Sequence, residues 1–151
     1  MQLALEAWRA FGLLEDRLWP TQPDHMGLHP ARCCFPLARK NPEIESFQLD
    51  VGAMEPLHLN LIKHCLALGL PVTVDFPLHP SLMRSFRSRV IPVPRKGEPC
   101  VGRHVALLAG YDDDKEVKDD IYRCEPPTGG FLVRNSWGRR WADEGFVAAQ
   151  R

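Results

Sequence analysis

A chain of 151 residues with 44% apolar side chains can bury one sizeable core and is short for two. Lys and Arg number 19 and so do Asp and Glu, so no charge excess points to nucleic acid or an anionic membrane surface as a partner. No apolar run reaches membrane-spanning length, and 14 prolines argue against a helical bundle.

Leu3, Leu5, Ala7, Trp8 and Phe11 fall on one side of a helix, and Gly12 is placed to end it. Met1 leads directly into this pattern, without the charged, apolar and cleavage-site regions of a secretory leader. The expected localisation is intracellular if Met1 is the natural start. Residues 13–20 run into a turn at Trp19-Pro20.

Residues 21–42 read as a proline-punctuated linker. His25, His29, Cys33 and Cys34 within it are the right ligand types for tetrahedral zinc. The H-x3-H-x3-C-C spacing lacks the C-x2-4-C knuckle, and adjacent cysteines rarely share one ion, so the expectation is a loop with buried thiols and no metal. The five cysteines are odd in number, which favours reduced thiols.

Phe47 and Leu49 alternating with Gln48 and Asp50 predict a strand over residues 45–51. Met54, Leu57, Leu61, Cys65 and Leu68 recur at helical spacing, ended by Gly69 and Pro71. Cys65 lies on the apolar stripe as a core thiol, whereas His58 and His64 flank it on solvated faces. Residues 72–76 form a short strand. Residues 79–99 are basic and irregular, with Arg84, Arg87, Arg89, Arg95 and Lys96 around an extended piece at 90–94. This reads as a solvated face, or as a cleft rim attracting acidic residues.

Residues 101–111 place His104 at the head of an apolar run that closes on Gly110-Tyr111. Val105 to Ala109, and later Phe131 to Val133, suit strands buried on both faces. Residues 112–120 are acidic but lack the glycine and terminal glutamate of a calcium loop, so an exposed hairpin tip is expected. Residues 121–123 return as a strand, 126–130 turn, and 131–133 lead into Arg134-Asn135-Ser136-Trp137-Gly138. A last strand covers residues 145–149.

Together, G-x-H-V-A-L-L-A-G-Y at 102–111 and L-V-R-N-S-W-G-x-x-W-x-x-x-G-F at 132–146 resemble the C-terminal part of the papain-like cysteine peptidases. The resemblance implies that His104 is the catalytic histidine, that Asn135 orients it and that Trp137 covers their contact. An amide carbonyl can fix one imidazole tautomer without adding charge. An indole over the contact excludes water and strengthens it. The helix, glycine, acidic residue and aromatic-Pro order of residues 2–20 is also similar to the segment after that family's central helix.

In papain-like enzymes the histidine and asparagine follow the nucleophilic cysteine by roughly 130–150 residues. Counting back that far from His104 passes Met1, and no Q-G-x-x-G-x-C-W-like segment occurs. The implied fold is therefore α+β. It is a single incomplete papain-like domain over residues 1–151: a helical-lobe remnant at 1–20 packed on an antiparallel, partly barrel-like β lobe at 43–151. Cys100, four residues before His104, is a weak surrogate nucleophile, since nothing near it promises a helix N-terminus or an oxyanion hole. Ser136 should point away from Asn135's face.

Three functions follow as expectations. The chain is the His/Asn-bearing portion of a cysteine peptidase whose thiolate comes from a missing segment or a second chain. Alternatively it is a pseudo-peptidase that binds a peptide or protein, or a structural or regulatory subunit. No cofactor is implied. Without the cysteine-bearing segment, apolar surface should be exposed and a partner is implied.

Overall fold

The computed structural model describes residues 2–25, 27–40, 44–49, 55–117 and 128–150. The fold is α+β. Backbone contacts divide the chain into two compact units, residues 1–48 and 49–151.

The first unit begins with α1, Gln2–Phe11. Gly12 ends it at φ 82, with its N–H donating to the Trp8 carbonyl at 2.7 Å. Only glycine fits there, because an added Cβ would stand 2.2 Å from the Ala38 oxygen. The stretch expected as a plain linker contains a second short helix, α2 (Cys34–Ala38), which buries Cys34 and Ala38. The strand expected from residue 45 is not formed over 45–49. Alternation makes a strand only when a ladder partner accepts its backbone groups; here Arg9 takes the Ile44 and Ser46 carbonyls instead. Residues 50 and 51 lie outside the described residues.

In the second unit α3 spans Glu55–Ala67. Leu70 N–H returns to the Cys65 carbonyl at 2.9 Å and Gly69 N–H to the Leu66 carbonyl at 3.0 Å. This pair of hydrogen bonds, with Gly69 at φ 77, is the Schellman stop that the Gly-Leu-Pro sequence implies. Cys65 is buried; His64 is exposed, but His58 is half-buried rather than solvated.

Among the described residues five strands form one sheet in the order β1-β3-β4-β5-β2: β1 Val72–Leu78, β2 Val90–Ile91, β3 Gly102–Glu116, β4 Thr128–Arg134 and β5 Phe146–Gln150. All pairings are antiparallel except β2 with β5. The basic stretch before β3 is more regular than expected. A 3-10 turn over Pro80–Arg84 continues into α4, Ser85–Ser88. Arg89 at φ 57 then turns the chain so that its carbonyl accepts the Ala148 N–H and β2 runs parallel to β5.

The sheet is covered on one face. Ala106, Leu108, Val133 and Val147 are buried there with Trp141, and Ile62 and Leu66 of α3 pack against them. On the opposite face Val105 is 39% and Leu132 46% exposed. The expectation of strands buried on both faces therefore fails. An antiparallel sheet needs only one face against the core, and a continuous apolar run cannot say how many faces are covered. The acidic stretch is also not simply a tip: Asp112 to Glu116 extend β3, and Thr128 to Gly130 belong to β4. Residues 118–127, with the expected strand at 121–123, lie outside the described residues.

Candidate active site

Antiparallel register places Phe76 of β1 directly opposite His104 of β3. Both side chains share the core-facing side with Ala106 and Leu108, because side chains alternate along a strand. His104 sits at the end of that row, half-buried, with the Phe76 ring edge-on at 5.6 Å between centroids. Asn135 immediately follows β4 and is buried, at 9% exposure.

The two meet: His104 Nε2 lies 3.0 Å from Asn135 Oδ1. Which atom donates follows from a second contact. The backbone N–H of Ser136 donates to the same Oδ1 at 2.7 Å, and a backbone N–H can only donate. That atom is therefore the amide oxygen, and Nε2 must carry the proton it gives to Asn135. In the neutral ring, Nδ1 is then the free base. The Ser136 side chain is exposed.

Trp137 lies over the histidine with ring centroids 5.1 Å apart, and Trp141 meets Trp137 edge-on at 5.3 Å. Trp141 is itself in the core, so the covering indole rests on packed structure. The sequence reading named Trp137; it did not find Phe76, whose place depends on strand register, and it gave Trp141 no role beyond its motif.

Cys100 is exposed, and its thiol donates to the Gly102 carbonyl at 3.1 Å. Cys100 precedes β3, and the contact its thiol makes is with this backbone carbonyl rather than with the His104 ring. Cys65 is closed in the core. In the first unit Cys33 is exposed and Cys34 buried; burial pushes the Cys34 thiol up, and the neighbouring Cys33 adds to this. His25 stacks on Trp19 at 4.8 Å, and its Nδ1 faces the Pro20 carbonyl at 2.9 Å. Among the described residues no group of three or more His, Cys, Asp or Glu side chains is placed to hold a metal.

The papain family cysteine protease model matches residues 31–151. The chain belongs to the papain family. It is 26% identical over 147 residues to cathepsin W of Mus musculus, spanning 93% of this chain and 37% of the relative. It is also 19% identical over 140 residues to an uncharacterized peptidase C1-like protein, L477, of Acanthamoeba polyphaga mimivirus, spanning 90% and 41%. Two solved structures share the papain-family fold. Xylellain, a cysteine protease from Xylella fastidiosa, matches at TM-score 0.73 and 22% identity over 98% of this chain and 53% of that one. SERA5E from Plasmodium falciparum matches at TM-score 0.50 and 16% identity over 96% and 59%. The chain thus spans about two-fifths of its curated relatives and just over half of these solved chains.

Proposed function

We propose that residues 1–151 are the His/Asn-bearing portion of a papain-family cysteine peptidase, acting with a thiolate supplied from outside this stretch. The observation that carries the reading is the 3.0 Å contact of His104 Nε2 with an Asn135 oxygen whose orientation the Ser136 N–H dictates. With Nε2 committed to Asn135, Nδ1 is the nitrogen that takes the proton of an incoming cysteine thiol. The thiolate attacks a peptide carbonyl, and the resulting imidazolium returns its proton to the leaving amine. Water, activated by the same nitrogen, then hydrolyses the acyl-enzyme. Asn135 adds no charge, so it fixes the ring through both protonation states. The substrate class is a peptide or protein; no cofactor takes part.

The second reading is a pseudo-peptidase that keeps this geometry to bind a peptide. Cys100 and Cys65 are held respectively on a carbonyl and in the core, which both readings accommodate, so they differ only in whether a thiolate arrives from elsewhere. A thiol-directed epoxide or vinyl-sulfone probe, applied to protein from its natural source and followed by peptide mapping, separates the two. A single labelled cysteine outside residues 1–151, on the same or a co-purifying chain, supports the peptidase. Unlabelled protein in every complex it forms supports the binding module.

A further inference from the structure

The connection from Asn135 to Gly145 joins β4 to β5 and takes an unusual backbone path. Ala142 at φ 49, Glu144 at φ 50 and Gly145 at φ 91 adopt the left-handed region within four residues, which L side chains disfavour. The neighbours of Gly145 account for the path. Its N–H donates to the Trp141 carbonyl at 2.7 Å, and its carbonyl accepts the Asn135 N–H at 2.9 Å. A Cβ at this position would stand 3.3 Å from the Gly138 oxygen and 3.9 Å from the Asn135 oxygen. One buried glycine therefore touches the backbone of the amide that binds His104. It also touches the backbone of Trp141, the indole that supports Trp137 over His104.

Resting on the reading of His104 and Asn135 as the site, we propose that Gly145 is its positioning residue. It sets the Asn135 amide from one peptide group and, through Trp141, the Trp137 indole from the other. A side chain at 145 is strained by its φ and presses on the Gly138 carbonyl. The loop then moves, and both His104 contacts move with it.

The test is 15N NMR of the histidine rings in the chain of residues 1–151. Gly145→Asn is the variant, since asparagine tolerates left-handed backbone better than other side chains. Gly97→Asn is the control: Gly97 is equally left-handed at φ 83, but a Cβ there meets nothing within 4 Å. The expected result is loss of the single Nε2–H signal of His104 in Gly145→Asn and its retention in Gly97→Asn. A folded Gly145→Asn with unchanged His104 signals, or equal loss in both variants, overturns the proposal. Hydrogen exchange on the unaltered chain decides independently of whether the variant folds. Asn135 and Gly145 N–H groups protected as strongly as those of Val133 and Val147 support the pin. Rapid exchange of both, with the His104 signal intact, sinks it. Neither readout needs turnover, so a chain that passes here but stays unlabelled by the thiol-directed probe in every complex loses the peptidase reading and keeps the positioning one.

Discussion

Asn135 has one oxygen and two donors aimed at it, His104 Nε2–H and Ser136 N–H. Truncation to alanine would leave both donors unsatisfied beside a buried site, at about 1–3 kcal/mol per buried group. We expect Asn135→Ala to lower the unfolding free energy by roughly that amount for one group, since half-buried His104 can recover water. It should also release the His104 tautomer, which urea titration and ring 15N shifts would read together. Intact stability with a free tautomer would mean that the amide orients the ring without holding the fold. By contrast, the Arg103–Asp75 ion pair at 3.0 Å is largely exposed, and its removal should change stability by no more than about 1 kcal/mol.

At the scale of elements, two turns carry distinct predictions. Gly12 combines a left-handed φ of 82 with an Ala38 oxygen 2.2 Å from any added Cβ. Gly12→Ala should therefore cost about 1–3 kcal/mol or more, as overpacking against backbone does, and lower the helix content of residues 1–48 in circular dichroism. The loop before β3 depends on Glu98, whose carboxylate accepts the Ser81 N–H at 2.6 Å and the Arg95 N–H at 3.0 Å. Burial pushes the Glu98 carboxyl up, but these donors and nearby His79 outweigh it and hold the group below its ordinary value. A depressed folded pKa gives stability that is present above the ordinary value of 4.5 and is lost as pH falls through the lower folded value. Thermal melts from pH 6 down to about pH 3 should show a loss that Glu98→Gln removes. An identical pH slope in the variant would assign the loss to other carboxylates.

For the whole molecule, the apolar surface is unevenly used. In the first unit Leu3 is 81% and Phe47 68% exposed, and among its described residues Cys34 and Ala38 are the buried apolar ones. We propose that a partner or a further segment covers part of this surface. Accordingly, purified residues 1–151 should not hydrolyse peptide substrates. Turnover that Cys100→Ser abolishes would contradict this and make Cys100 the nucleophile despite its contact with Gly102. In the sheet, Leu108→Ala should cost about 2–5 kcal/mol, because the site's strand is anchored by that buried row.

What the sequence determined by itself is local or carried by motif. Helical spacing and glycine stops gave α1 and α3, since caps and periodicity act within a few residues. The His104 and Asn135 motifs carried the family and named two side chains that meet although they lie 31 positions apart in the chain. Tertiary structure decided what depends on pairing. Residues 45–49 alternate like a strand but find no ladder, while Val90 and Ile91 become one by joining β5 in parallel. The apolar run of β3 is covered on one face only, because α3 lies against one side of the sheet. Phe76 reaches His104 through strand register, and Gly145 reaches Asn135 through a left-handed path. Backbone partners and covered faces are set by distant parts of the chain, and no window of neighbouring residues contains them.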